Sequence, residues 1–291
     1  MAKTSVYSKA FDVFNILLML GVMVITIYPF LYVASVSISD QYAVFANQVT
    51  FYPIGFDLTA YEHVFKDSRI WSGYGNTIKY AVLGTTINLI FTSLTAYALS
   101  KKSLTWRKPI SIAIVFTMMF NGGMIPLYLI VKNLHLIDTF WAIILPGAIS
   151  TWNLMVMRTF FEGIPESLAE SAYLDGASEI TVFLRIILPL SKPIFLTIGL
   201  FYAVQHWNSF FNALMFLNTP TKYPLQIILR NIIIGGEVAM KGGDVGEHRD
   251  VVVSLSIKTA TIMVATLPIL CIYPFVQKHF VKGAMIGSIK G

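Results

Sequence analysis

Between Val13 and Val36 the chain carries no Asp, Glu, Lys or Arg. That run is long enough to cross the roughly 30 Å hydrocarbon core of a bilayer, which takes about 20 residues of helix. Five comparable stretches follow, and the spans read as about 13–36, 76–99, 109–131, 138–160, 189–213 and 257–277. Lipid offers the backbone no hydrogen-bond partner, so every span must be helical. Composition agrees, with 12% charged and 56% apolar residues and a mean hydropathy of +0.69. Soluble domains carry about 25% charged residues, and a soluble chain this apolar would expose large apolar patches. The expected fold class is therefore all-α: a polytopic membrane protein of six transmembrane helices, one domain over 1–291. The first run exceeds a signal-peptide core, and Asp12 and Asn15 interrupt its start, so it is read as a retained helix.

Basic residues orient the bundle. Lys3 and Lys9 precede the first span, Lys101, Lys102, Arg107 and Lys108 sit between spans two and three, and Arg158, Arg185 and Lys192 follow span four. Lys278, Lys282 and Lys290 close the chain, whereas the loop between spans three and four holds only Lys132. Both termini are expected in the cytoplasm, with the long segments 37–75 and 214–256 outside. Trp71, Tyr74, Trp106, Trp141 and Tyr273 fall near the interfaces, as an aromatic belt would. The net charge of +6 is scattered at span ends, which suits lipid headgroups rather than nucleic acid. The single cysteine, Cys271, excludes a disulfide within the chain and any thiolate metal cluster.

The loop 161–188 is too ordered for a mere connection. Pro165 suits a first helical position, Glu166 and Glu170 complement a helix dipole, and Ser167, Ala169, Ser171 and Ala172 keep the helix thin. Asp175-Gly176 is a stop in which Gly takes the left-handed conformation. Ser178 can cap a second helix, with Glu179 in its first turn, and Pro189 and Pro193 mark the start of span five. The order reads as a short surface helix, a sharp turn and a second helix leading into the membrane, a device for passing on force. Physics alone leaves a solvated connecting loop standing beside it.

"ESAYLDG", nine further residues and "IILP" resemble the EAA motif of ATP-binding-cassette importer permeases: Glu170, Ser171, Ala172, Gly176, Ile186, Leu188 and Pro189 match, with Ser171 in place of the first Ala. The likeness spans most of the chain. Six spans, a long outer segment before the last and the tail "KGAMIGSIKG" are similar to the smaller permease of maltose-type carbohydrate importers, a type I importer architecture. "NGGMIPLYLIVKNLHLIDTFWAIILPGAIS" is similar to the branch that handles complex oligosaccharides. The resemblance implies a coupling helix docking on a cytoplasmic ATPase through Glu166, Glu170, Ser171, Ala172, Tyr173, Leu174, Asp175, Gly176 and Ala177. It implies a tail between ATPase subunits at Met285, Gly287, Lys290 and Gly291, and a binding-protein contact at Gly235, Gly236, Glu237, Lys241 and Asp244. For the last two, a frayed terminus and a flexible outer loop remain the plainer readings. The implied partners are a homologous permease forming a heterodimer, two ABC ATPases that bind ATP and Mg, an extracytoplasmic binding protein, membrane lipid and a sugar or oligosaccharide. The implied location is the bacterial inner membrane.

No phosphate-binding loop, H-E-x-x-H or G-x-S-x-G is present, so no catalytic, cofactor or metal residue is assigned and ATP chemistry is expected from separate subunits. "GGEVAMKGGDVGEH" at 235–248 has the wrong spacing for phosphate. Polar residues inside spans face the bundle or a wet cavity. Gln205, Asn208 and Asn212 recur at i, i+3 and i+7 on span five, which puts them on one helix face, and Trp207, Asn121 and Asn153 complete a candidate path for neutral sugars. Thr85, Asn88, Thr92 and Thr95 form a similar stripe on span two. Helix-to-helix hydrogen bonding competes with that reading for both stripes, and His206 reads as a pore or packing residue. An importer of a non-sugar solute and an ion-coupled carrier are the alternatives. The carrier predicts half-chain repeats and buried acids, and neither is visible.

Overall fold

The structure, a computed structural model, describes residues 6–242 and 255–271. Its helices are α1 Val6–Ser37, α2 Gln41–Phe45, α3 Thr59–Lys66, α4 Ser68–Ser100, α5 Arg107–Met119, α6 Met124–Asn133, α7 Phe140–Ile144, α8 Thr151–Glu162, α9 Glu166–Leu174, α10 Glu179–Val182, α11 Leu188–Leu190, α12 Lys192–Trp207, α13 Phe211–Phe216, α14 Leu225–Gly242 and α15 Leu255–Cys271. There is no strand among the described residues.

The chain divides into two compact units, one of residues up to Ile70 with Leu229–Ile269, the other built on Trp71–Ile228. In the first, Val36, Ala43, Val44 and Val49 form a small core joined by Ile54 and Leu255. The Ser39 hydroxyl accepts the Ile54 N–H (3.1 Å) and donates to the Ser35 carbonyl (2.6 Å), holding the segment after α1 against its end. Over most of its length α1 exposes apolar side chains all round, a surface suited to lipid or another chain. The expected outer segment 37–75 is thus largely structured, carrying α2, α3 and the start of α4.

The second unit packs around Ala96, Leu99, Leu154, Met157, Phe161, Val182, Phe183, Ile187, Ile194, Ile198 and Tyr202. Three of the expected spans are not straight rods. α5 and α6 meet at 115°, Phe140–Gly147 and α8 at 56°, and Glu179–Leu190 and α12 at 83°. Each break has a local cause. The Asn121 side chain accepts the Gly123 N–H (2.9 Å), and Gly123 has φ +88, an Asx turn that competes with helix. Pro146-Gly147 interrupts the next. Pro193 lacks the N–H that would continue the ladder past Ser191. α15 covers the described part of the span expected at 257–277; residues 272–277 lie outside the described residues.

A break in lipid frees backbone groups that must find partners. The buried Asn88 amide donates to the Gly147 (2.7 Å) and Ala148 (2.8 Å) carbonyls. Its oxygen faces His206 Nε2 at 2.6 Å; since that oxygen can only accept, Nε2 carries the proton. The Tyr202 hydroxyl takes the Ser150 N–H (2.9 Å) and pairs with the Thr92 hydroxyl (2.7 Å). α12 approaches α4 closely at Gly84, where a Cβ would stand 2.6 Å from His206 Nε2 and 2.7 Å from Ile144 Cδ1. Asn88, Thr92 and His206 therefore act as packing residues that seal a broken span.

The turn before α7 is tied to residues 218–222. Asp138, at φ +60, accepts the N–H groups of Asn218 (2.9 Å) and Thr219 (3.0 Å), the Thr219 hydroxyl (2.6 Å) and the Lys222 ammonium (2.6 Å). Asp138→Asn should therefore lower stability by about 1–3 kcal/mol at neutral pH, since it removes the charge that meets the Lys222 ammonium and one of the acceptor oxygens. Thermal unfolding in detergent checks this, and an unchanged unfolding temperature would show that the turn is held by other contacts.

Candidate functional site

The segment 165–191 forms an elbow at the end of the bundle that also carries the loop 101–106. α9 begins after Pro165, one residue later than expected, with Glu166 in its first turn. It ends at Asp175, and Gly176 has φ +80. The Gly176 N–H reaches the Tyr173 carbonyl (3.0 Å) and the Ala177 N–H the Ala172 carbonyl (2.9 Å). This pair of bonds is the Schellman closure, which a positive-φ glycine makes possible. The Ser178 hydroxyl then caps α10 by accepting the Thr181 N–H (3.3 Å).

Ala169, Ala172, Tyr173 and Ala177 seat the elbow on the core. Leu168, Glu170, Ser171 and Leu174 face outward, and Leu174 is 90% exposed. The outward face of α9 is therefore acidic and built of small residues, with two large apolar side chains left uncovered. A cavity of about 400 Å³ lies behind it, lined by Lys101, Lys102, Glu162, Glu166, Glu170 and Tyr173 among others.

Charged pairs join the elbow to its surroundings. Lys102 and Glu166 lie 3.0 Å apart and largely exposed. Lys101 donates to the Tyr173 hydroxyl (2.7 Å) and lies 3.2 Å from Glu179, which also accepts from the Tyr97 hydroxyl (2.7 Å). Partial burial of the Lys101 ammonium works against its charge, but Tyr173 and Glu179 outweigh that and its pKa is raised. Glu162 receives both Arg107 and Arg158 (2.9 Å for Arg158), and Arg158 also donates to the Ser111 hydroxyl (2.9 Å). Sequence reasoning counted these cations only as orientation signals. Their partners lie 47 to 78 residues away, apart from the i,i+4 pair of Arg158 with Glu162, and no local pattern marks them.

The candidate path residues are less united than expected. α12 ends at Trp207, Asn208 is its C-cap and Asn212 lies in α13, so Gln205, Asn208 and Asn212 do not share one helix face. The turn at 208–210, held by the Ser209 N–H on the His206 carbonyl (3.1 Å), removes the periodicity. Gln205 and Asn208 are exposed, Asn153 is buried in α8, and Asn121 is exposed at the α5–α6 break. Trp207 meets Tyr74 edge to face at 6.3 Å, and its indole nitrogen is buried with no hydrogen-bond partner among the described residues. Gly235, Gly236, Glu237 and Lys241 lie within α14, so the expected outer loop is helical up to Gly242. Gly235 edges a cavity of about 400 Å³ with His63, Asp67, Arg69, Asn231 and Thr261. Asp244 and the tail residues Met285, Gly287, Lys290 and Gly291 lie outside the described residues.

Residues 70–285 match the family described as the binding-protein-dependent transport system inner membrane component. The chain belongs to this permease family. The permease is 46% identical over 283 residues to protein LplC of Bacillus subtilis strain 168, covering 97% of this chain and 96% of that one. It is 41% identical over 291 residues to the polygalacturonan/rhamnogalacturonan transport permease YtcP of the same strain, covering 98% and 99%. Its fold superimposes on a chain of a bacterial ABC transporter involved in import of the acidic polysaccharide alginate, with a TM-score of 0.86 and 33% identity, over 96% of this permease and all of that chain.

Proposed function

We propose that this permease forms half of the transmembrane pathway of an ATP-driven importer for carbohydrate oligomers, acidic ones first among them. The observation that carries the reading is the elbow, which presents Leu168, Glu170, Ser171 and Leu174 outward from a helix closed by Gly176. Such a face fits a cleft on a separate ATPase. ATP and Mg bind there, and the permease itself is not an enzyme. A homologous permease completes the pathway as a heterodimer with two ATPases, and an extracytoplasmic binding protein delivers the cargo on the α14 side. The basic loops support a cytoplasmic position for the elbow and both termini in a bacterial cell. The polygalacturonan and alginate transport named for the similar proteins supports a uronate-rich cargo. Gln205, Asn208 and the half-buried Trp207 supply the amides and ring that sugar hydroxyls and apolar faces need.

The test is uptake in cells carrying or lacking this permease, with labelled short oligogalacturonates, alginate oligomers, neutral oligosaccharides and amino acids. The expected result is saturable, permease-dependent uptake of a carbohydrate oligomer that stops on ATP depletion and withstands a proton uncoupler. Uptake that fails only with the uncoupler would mark an ion-coupled carrier. Uptake of amino acids alone would overturn the carbohydrate reading.

A further inference from the structure

We propose that Lys101 is the positioning residue that carries motion of the α9 elbow into α4, and that the joint consists of Lys101, Tyr173, Glu179 and Tyr97. This rests on the reading of α9 as the ATPase-docking helix and adds the route by which docking reaches the bundle.

The straight route along the chain is poor. After α10 comes a π-helical turn, Phe183–Ile187, and then the 83° bend at Ser191. Both are places where a helix yields rather than pushes. The Ser191 hydroxyl is buried without a hydrogen-bond partner among the described residues, so that side chain adds no polar tie at the bend. The route across is short and stiff. The Lys101 ammonium, one residue past the end of α4, lies 2.7 Å from the Tyr173 hydroxyl on α9 and 3.2 Å from Glu179 at the start of α10. It sits over the rings of Tyr97 (4.7 Å) and Tyr173 (5.2 Å). The Tyr97 hydroxyl, within α4, binds the same Glu179 oxygen at 2.7 Å, and its ring packs 5.0 Å from Phe183. One cation thus touches both arms of the elbow and the end of α4.

The surroundings put weight on these bonds. Lys101 and Glu179 line both the 400 Å³ cavity behind α9 and a second, largely apolar groove of about 980 Å³ along α4. Where dense packing would transmit force by itself, the elbow stands partly over open space, and the polar joint bridges it. Hydrogen-bond and ion-pair networks between rigid elements are one route by which coupling crosses between distant sites.

The experiment uses the assembled importer: this permease with its companion permease, ATPase and binding protein, purified together in detergent. Lys101→Met keeps the stem on the tyrosine rings and removes the ammonium, and Tyr97→Phe removes one hydroxyl. Both should retain the parent amount of bound ATPase. ATP hydrolysis without binding protein should rise about fivefold or more, the low end of ordinary coupling energies, because the ATPase no longer works against the bundle. Uptake of short oligogalacturonates, measured in cells carrying the same variants, should fall, and Lys101→Arg should restore part of both. Hydrolysis at the parental rate, or hydrolysis and recovered complex falling in proportion, overturns the joint as a coupling device. A separate arm scrambles residues 170–176: an ATPase that stays bound and binding-protein-responsive there sinks the docking reading itself, whatever Lys101→Met does.

Discussion

Gly176→Val should leave the permease inserted at normal levels and reduce ATP-coupled uptake by roughly 5- to 150-fold. The factor follows from about 1–3 kcal/mol for holding a non-glycine residue in a strained backbone region. Gly176 has φ +80, and a Cβ added there meets nothing within 4 Å, so the penalty is purely one of backbone conformation. A valine relieves it by leaving the left-handed region. That breaks the Gly176–Tyr173 and Ala177–Ala172 bonds together and re-aims α9 relative to α10. Because no space is at stake, the damage should follow left-handed tolerance, smallest for Gly176→Asn, larger for Ala and largest for Val. Uptake measured beside permease levels in isolated membranes decides it. Full transport by the valine variant at normal levels would mean that the turn has no part in coupling.

Asn88→Leu should be strongly destabilising although it conserves side-chain volume. The amide serves two carbonyls and a ring nitrogen in a site with 0% exposure. Leucine fills the volume and leaves all three unpaired. At about 1–3 kcal/mol for each buried orphan, the loss is several kcal/mol, comparable to the whole stability of many domains. The permease should be recovered in small amounts and unfold at a markedly lower temperature in detergent. Asn88→Asp keeps an acceptor for His206 but no donors for Gly147 and Ala148, so it should fall nearly as far. Thr92→Val removes only the hydroxyl that meets Tyr202 and serves as the milder comparison. An unfolding temperature for Asn88→Leu within that of Thr92→Val would show that the break in span four is sealed by other means.

Both predictions concern places where local and distant information meet, and they differ in how far the sequence announces them. The turn at Gly176 is written in five consecutive residues, because a helix stop, a left-handed position and a following cap depend only on neighbours. Asn88 looked no different from Thr85 or Thr95. Its partners stand 59, 60 and 118 residues away, and the carbonyls it serves exist as orphans only because the helix breaks after Pro146-Gly147. The triad of Glu162 with Arg107 and Arg158 was hidden for the same reason, its cations having already been assigned to orientation. The stripe on span five misled in the opposite sense. A 3.6-residue periodicity assumes one continuous helix, and the turn after Trp207 separates Asn208 from Asn212.

What the sequence determined by itself was the class of fold, the number and rough placement of apolar segments, and the order of parts in the elbow. Each follows from transfer free energies and from conformational preferences of adjacent residues, which act before any long-range contact forms. Tertiary structure alone decided where the spans bend, which polar side chains seal those bends, and which cation joins the elbow to α4. These choices are made when segments far apart in the chain compete for the same buried donors and acceptors. In a medium that supplies none, geometry rather than residue type settles the pairing.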